Sequence, residues 1–203
     1  MDQGSSEWFA ARLGRVTASR VSDVMTKTKS GYGAGRNNYM MELLCQRLTG
    51  NREEGYTNAA MQRGTDLEPI ARVRYEMENN ILVDEVGIVN HPSIENFAAS
   101  PDGLAGEDGL LEIKCPNTAT HIAFFQSGKI PSKYQTQMTV QMLCTERNWC
   151  DFVSFDDRLP DHLQYRCVRF EIDADRAKEI TVEVEIFLKE LDELIINLGE
   201  SNE

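Results

Sequence analysis

Two charged residues on an otherwise apolar strand constrain the fold of this chain more than any other feature of its sequence. The strand is predicted over Leu110–Cys115 and is followed by Pro116, which ends strand pairing because proline has no N–H to donate. Side chains alternate between the two faces of a strand, so Glu112 and Lys114 share one face. Their apolar neighbours share the other, which we expect to face the core. Burying charged groups without partners is costly, so a sheet built on this strand must supply partners.

A second carboxylate precedes the strand, in the turn Ser100-Pro101-Asp102-Gly103. Carboxylate oxygens are the ligands that hard cations such as Mg²⁺ and Mn²⁺ prefer. Asp102 and Glu112 are therefore candidate ligands of a divalent ion, which lowers the pKa of a bound water and stabilises a pentavalent phosphate. Lys114 is a candidate for orienting that water or stabilising developing charge. An exposed edge strand with charges on its wet face is the alternative interpretation.

Polar residues in two predicted helices extend this candidate site. Glu68 lies beside apolar residues of a long predicted helix. It is either a solvated helix residue or a third carboxylate aimed at the same metal. Tyr134, Gln137 and Gln141 lie at helical spacing on a later predicted helix. The alternative for these three is an exposed helix face.

The hydrophobic periodicity predicts an α/β (α+β) fold with a mixed central sheet flanked by helices. The chain has the length of one domain, so residues 1–203 are expected to form a single domain. The predicted helices are Arg20–Met25, Tyr39–Leu48, Ala59–Glu78, Tyr134–Cys144 and a last helix containing Ala177 and closed by Gly199. The predicted strands are Leu82–Val89, Ala98–Ser100, Leu110–Cys115, Asp151–Phe155 and Tyr165–Ile172.

Composition excludes several classes of protein. The five cysteines form no Cys-x-x-Cys pair, which argues against a disulfide scaffold and against a zinc or iron–sulfur site. The three histidines are far apart in the sequence and are interpreted as structural or surface residues. No apolar run approaches the roughly 20 residues of a membrane helix, and the first residues do not resemble a secretory signal. We therefore expect a soluble, intracellular protein.

The distribution of charge restricts where DNA could bind. The formal net charge is −12, which argues against a protein that coats nucleic acid. However, residues 1–36 carry six bases and three acids, whereas residues 171–203 carry eleven acids and three bases. This asymmetry allows one face of the protein to meet a polyanion.

Five motifs together resemble a known family. The helical glutamate, the S-P-D-G turn, the E-I-K-C-P strand and the Y-x-x-Q helix resemble phage lambda exonuclease and its YqaJ-type viral recombinase relatives. These proteins belong to the PD-(D/E)xK nuclease superfamily. Residues 8–19, W-F-A-A-R-L-G-R-V-T-A-S, also resemble the opening motif of that family. The resemblance runs from about residue 7 to the last helix.

The resemblance implies a restriction-endonuclease-like core and a Mg²⁺-dependent exonuclease with two ions per active site, for which Mn²⁺ substitutes. Members of this family digest one strand of linear double-stranded DNA in the 5′-to-3′ direction. They leave a 3′ overhang for a single-strand annealing protein, and they form ring-shaped homotrimers that thread DNA through a central channel. The resemblance also implies a phage or prophage gene and a protein acting in the cytoplasm of a bacterial host.

The resemblance assigns roles to individual residues. The implied metal-binding groups are the carboxylates of Asp102, Glu112 and Glu68 and the backbone carbonyl of Ile113. Lys114 is implied as the catalytic lysine, and Gln137 as the glutamine that completes the catalytic site. The implied lining of a pocket for the terminal 5′-phosphate is Arg12, Ser19 and Ser100. Met61 is implied as an apolar wedge that separates the terminal base pair.

Arg12 is the residue expected to set the direction of digestion, because a planar guanidinium holds a phosphate through two parallel hydrogen bonds. Ser19, at a predicted helix start, adds a hydroxyl and nearby backbone N–H groups. The alternative for Arg12 is a surface arginine beside Trp8.

Two other functions stay open. An endonuclease of the same superfamily would not need the end-phosphate pocket, and a non-catalytic DNA-end-binding module would be expected to lose the charged residues of the site.

Overall fold

Helices and strands alternate along the computed structural model, which describes residues 1–29, 31–52 and 58–200. The helices are α1 (Ser6–Arg12), α2 (Val21–Val24), α3 (Ala34–Thr49), α4 (Ala59–Asn79), α5 (Thr118–Ser127), α6 (Ser132–Thr145), α7 (Asp161–Gln164) and α8 (Ala174–Glu200), with a 3-10 turn at Ala18–Arg20. The strands are β1 (Val16–Thr17), β2 (Lys27–Thr28), β3 (Gly31–Tyr32), β4 (Val83–Asp84), β5 (Val89–Asn90), β6 (Phe97–Ala99), β7 (Gly103–Ala105), β8 (Gly109–Lys114), β9 (Trp149–Phe155) and β10 (Tyr165–Glu171).

The central sheet is mixed, with the strand order β10-β9-β8-β7-β4. β8 pairs in parallel with β9 and antiparallel with β7. The predicted α/β fold with a mixed sheet is therefore confirmed. The alternative that the charged strand lies exposed at an edge is wrong, because β8 has a neighbour on each side. Two smaller sheets, β1-β6-β5 and β2-β3, complete the described strands.

Helices cover both faces of β8. Leu111 packs in one apolar cluster with Tyr75 of α4, as predicted for the core-facing side of the strand. Leu110 points to the opposite face and packs in a second cluster with Met138 of α6. The face that carries Glu112 is thus also covered, and Glu112 is 0 % exposed. The fold buries the charged side of this strand under α6.

The long helix predicted upstream of the sheet is α4, and its observed end differs from the prediction by one residue. Asn58 caps its first turn, since the Asn58 side chain accepts hydrogen bonds from the backbone N–H groups of Ala60 and Met61. Asn80 ends it in the left-handed conformation, with φ of 52°. Pro69 lies inside the helix without ending it.

Several predicted boundaries are wrong, and α3 begins at Ala34 rather than at Tyr39. The strand predicted over Leu82–Val89 is instead two short strands, β4 and β5, in different sheets. The linker between them passes close to the chain's first residue: a Cβ at Gly87 would lie 2.6 Å from the carbonyl oxygen of Met1. Gly199 does not close the last helix, because α8 continues through it. A glycine inside a helix costs only about 1 kcal/mol, which packing elsewhere on a long helix offsets.

The segment predicted as a short helix over Arg20–Met25 is the 3-10 turn followed by α2. Within the described chain no side chain caps either element. The hydroxyl of Thr17 accepts a hydrogen bond from Arg12 instead. α1 and α5 were not anticipated from the hydrophobic pattern.

The structure shows the state of the cysteines and the surroundings of one histidine. All five cysteines are free thiols. His121 is fully buried. Its Nδ1 lies 2.8 Å from the Ser154 hydroxyl, and its Nε2 lies 2.8 Å from the Leu163 carbonyl. These contacts give His121 a structural role. In the described residues, none of the helices is long and apolar enough to cross a membrane.

Candidate active site

The turn before β7 brings Asp102 beside β8. The paired part of β7 begins at Gly103, opposite Leu111, and Ile113 lies two residues farther along β8. At Ile113 the Asp102 side chain, rather than the backbone of a neighbouring strand, accepts the hydrogen bond: the Ile113 N–H donates to Asp102 Oδ2 at 2.7 Å. The N–H and C=O of one strand residue point to the same side. The Ile113 carbonyl is therefore also directed toward Asp102.

The buried carboxylate of Glu112 is bound on both of its oxygens. Gln137 Nε2 donates to Oε1 at 2.7 Å, and Gln141 Nε2 donates to Oε2 at 2.6 Å. Lys114 Nζ contacts the same Oε1 and lies 3.9 Å from Asp102 Oδ2. The structure thus brings five of the residues singled out in the sequence into one cluster. An exposed helix face is the wrong interpretation for Gln141, which is 0 % exposed.

The charges of this cluster act strongly on one another. Burial and the charge of Glu112 raise the pKa of Asp102 well above its usual range, because both disfavour the ionised form. Burial by itself lowers the pKa of Lys114, but Glu112 and Asp102 outweigh it and raise that pKa overall. Lys114 is therefore a fixed cation between two carboxylates that repel each other.

Glu68 approaches the cluster from α4. Its ion-pair partner among the described residues is Arg72, at 3.6 Å. Burial raises the pKa of Glu68, the cations Lys114 and Arg72 oppose this, and the charge of Glu112 adds to it. Glu68 thus lies within electrostatic reach of the cluster, and its role as a metal ligand stays a prediction.

The oxygen atoms of the cluster fit a hard divalent ion. They are the carboxylates of Asp102 and Glu112 and the carbonyl of Ile113. In residues 1–29, 31–52 and 58–200, no three histidine, cysteine or acidic side chains lie close enough to hold a metal ion by themselves. Such an open set suits Mg²⁺, which binds through one or two carboxylates and keeps several waters.

A cavity of about 450 Å³ opens beside α1, with Arg12 in its wall. The Arg12 guanidinium lies 4.2 Å from the centre of the Trp8 ring. It donates to the Ser100 hydroxyl at 3.1 Å and to the Thr17 hydroxyl at 3.3 Å. The arginine does stack on the tryptophan, but it is half-buried and held by two hydroxyls. Since Ser100 precedes Asp102 by two residues, one turn joins the cavity to the carboxylate cluster.

Ser19 and Met61 line the same cavity. Ser19 is exposed on the 3-10 turn, and Met61 projects from α4 with 55 % of its surface exposed. The cavity also contains Arg52, whose guanidinium lies 4.3 Å from the Phe9 ring, and sequence reasoning missed both. No local spacing signals this pair, because Phe9 and Arg52 lie far apart in the sequence.

The chain is similar to known proteins over most of its length. The family model for the YqaJ-like viral recombinase domain matches residues 7–148. The uncharacterized protein R354 of Acanthamoeba polyphaga mimivirus is 26 % identical over 165 residues, which is 75 % of this chain. The chain spans only 29 % of the length of that protein.

Solved structures are similar to the whole described architecture. The alkaline exonuclease LHK-Exo from Laribacter hongkongensis, which is also known in complex with dAMP, is 57 % identical. The superposition covers 98 % of both chains with a TM-score of 0.92. A phage-related exonuclease from Haemophilus somnus 129PT is 16 % identical over 91 % of this chain and 96 % of its own, with a TM-score of 0.71. The latter likeness shows the fold alone.

Proposed function

Because the chain belongs to the YqaJ-like viral recombinase family, we propose that it is a Mg²⁺-dependent exonuclease that digests one strand of linear double-stranded DNA from its 5′ end. The proposal treats residues 1–203 as one lambda-exonuclease-like domain of phage or prophage origin. The 57 % identity to an alkaline exonuclease supports an exonuclease activity. Recombination by single-strand annealing follows from the 3′ overhang that such digestion leaves.

The observation that carries the proposal is the turn shared by two sites. Ser100 hydrogen-bonds the arginine of the cavity, and Asp102 belongs to the carboxylate cluster. A terminal phosphate held by Arg12 is thereby placed a short distance from the candidate hydrolytic groups. Recognition of an end phosphate favours an exonuclease over an endonuclease, which meets its phosphodiester in the interior of a strand.

The residues of the cluster have distinct roles in this proposal. Asp102, Glu112 and the Ile113 carbonyl would hold the divalent ion, with Glu68 assigned near a second ion. A bound divalent ion supplies Lewis-acid stabilisation for the charge that builds up on the phosphate oxygens. Lys114 holds a permanent positive charge at the Glu112 carboxylate, where it stabilises the same charge and orients the attacking water.

The residues around the cavity are assigned to binding of the DNA end. Arg12, Ser19 and Ser100 bind the terminal 5′-phosphate in this proposal, and Arg12 does so through two parallel hydrogen bonds. Met61, exposed at the cavity rim, acts as the wedge that separates the terminal base pair. Gln137 completes the catalytic site by holding Glu112 Oε1.

A homotrimeric ring is part of the proposal. A single heterologous interface repeated by rotation closes such a ring. A ring that encircles DNA stays bound by topology, so its outer surface tolerates the net charge of −12. Few phosphate contacts also let the enzyme slide, because every added contact makes release harder and more sensitive to salt. The further partner is a single-strand annealing protein that receives the 3′ overhang.

Digestion of linear duplex labelled at either end of one strand tests the proposal. With Mg²⁺ or Mn²⁺, the 5′ label should be released first while the 3′ label stays on a long single strand; EDTA should stop the reaction. The Glu112→Gln variant should be inactive, whereas Glu171→Gln, an exposed glutamate on β10 of the same sheet, should match the wild type. Cutting of closed circular duplex would favour an endonuclease. Binding of ends without any digestion would favour a non-catalytic module.

A further inference from the structure

Gln141 is a buried amide that the proposed chemistry does not use. It lies on α6, one helical turn beyond Gln137, and is 0 % exposed. The two amides bind opposite oxygens of one carboxylate: Gln137 binds Oε1 of Glu112, and Gln141 binds Oε2 at 2.6 Å. Residues four apart on a helix face the same side. α6 therefore presents a pair of N–H donors matched to the two oxygens of Glu112.

The other end of the Gln141 amide has no favourable contact. Its carbonyl oxygen is buried and lacks a hydrogen-bond partner in the described part of the chain. A buried acceptor without a partner costs free energy that an apolar side chain of similar volume, such as methionine, would avoid. Among the described residues, the hydrogen bond from its N–H group to Glu112 is thus the one favourable polar contact of the Gln141 side chain.

Gln137 and Lys114 on one oxygen and Gln141 on the other together determine which carboxylate oxygen of Glu112 faces Asp102. Lys114 Nζ contacts Glu112 Oε1 and lies 3.9 Å from Asp102 Oδ2, so Oε1 is the oxygen on the Asp102 side. Helix α6 holds both oxygens, Oε1 through Gln137 and Oε2 through Gln141. With Oε2 held, the carboxylate cannot rotate about its last bond without losing this hydrogen bond.

We propose that Gln141 is a positioning residue that holds Glu112 Oε2 so that Oε1 stays directed toward the divalent ion shared with Asp102. The inference rests on the proposed function, because it requires Glu112 to be a metal ligand. Groups that orient a metal ligand typically change metal affinity or activity by roughly 10- to 100-fold when they are replaced.

Mn²⁺ binding to the Gln141→Met variant tests this role. Binding is measured on the full-length protein by titration calorimetry and by the Mn²⁺ electron paramagnetic resonance signal, without DNA. We expect about 10- to 100-fold weaker Mn²⁺ binding, a lower kcat on linear duplex, and a KM for duplex within about twofold of the wild-type value. The matched control is Gln135→Met on the same helix, whose amide donates to the Ile130 carbonyl and not to Glu112. This control should bind Mn²⁺ like the wild type.

A second variant keeps the test decisive if methionine is not tolerated. Gln141→Asn retains an amide but is one methylene too short to reach Oε2, so it should also weaken Mn²⁺ binding. Wild-type Mn²⁺ affinity in either folded variant would overturn the positioning role, and so would unfolding of both variants, which would show a purely structural one. If Glu112→Gln leaves Mn²⁺ binding unchanged, the proposed function fails instead, and the two failures are thereby distinguished.

Discussion

Replacement of Arg12 by alanine should remove the preference for 5′-phosphorylated ends. A guanidinium carries five N–H donors, and the structure uses two of them, on Ser100 and Thr17. Three donors are left for a phosphate. Two charge-assisted hydrogen bonds contribute about 3–6 kcal/mol, and half of this, about 1.5–3 kcal/mol, is expected here because the cavity is open to solvent. At about 1.4 kcal/mol per factor of ten, the loss corresponds to roughly 10- to 140-fold.

The assay compares initial rates on linear duplexes that differ only in a 5′-phosphate or a 5′-hydroxyl. The wild type should prefer the phosphate by about the factor above, and Arg12→Ala should digest both ends at nearly equal, slow rates. Arg12→Lys keeps the charge but loses the planar fork, so it should retain only part of the preference. Arg176→Ala, on α8 and paired with Glu179, is the control for loss of an arginine. Equal wild-type rates on both ends would refute the phosphate pocket and leave the direction of digestion without a cause.

The other predictions concern the cluster, the fold and the assembly. Lys114→Ala should lose more than nine tenths of its turnover while its affinity for duplex, measured by gel shift without metal, is retained. Burial raises the pKa of Asp102, so the stability from its protonated form is complete below its unfolded pKa of about 3.9 and is lost as the pH rises through the folded pKa. Asp102→Asn should therefore be more stable than the wild type to urea at pH 7 without metal. This difference in stability should vanish when the pH is lowered to the unfolded pKa of Asp102. Asp156 is buried and paired with Arg63 and Arg158, which both keep contact with solvent, so Asp156→Ala should lose about 1.5–3 kcal/mol of unfolding free energy in urea. Light scattering should give three times the 23.0 kDa chain; a stable monomer that is still processive would contradict the ring.

Long periodic elements were predicted accurately because their pattern repeats over many residues. α4 was placed within one residue, β8 within one residue at each end, and β9 within two residues at its start. The prediction of one strand over Leu82–Val89 is wrong because this segment contributes strands to two different sheets. No local signal marks where the chain leaves one sheet for the other. Gly199 likewise lies inside α8, so the presence of a glycine did not by itself mark the end of that helix.

The sequence by itself determined which residues could do chemistry. The spacing of Asp102, Glu112 and Lys114 required a turn and a strand with two charged groups on one face, and the alternation of strand side chains follows from local geometry alone. That much needs no knowledge of the rest of the chain.

Only the tertiary structure decided how those residues are combined. The central position of β8 excluded the exposed edge strand, and the packing of α6 turned Gln141 from a candidate surface residue into a buried partner of Glu112. Arg12 meets Ser100 across 88 positions of sequence, which joins the cavity to the cluster. Such contacts depend on how helices and strands pack together, and packing is decided by the whole set of buried side chains rather than by any local pattern.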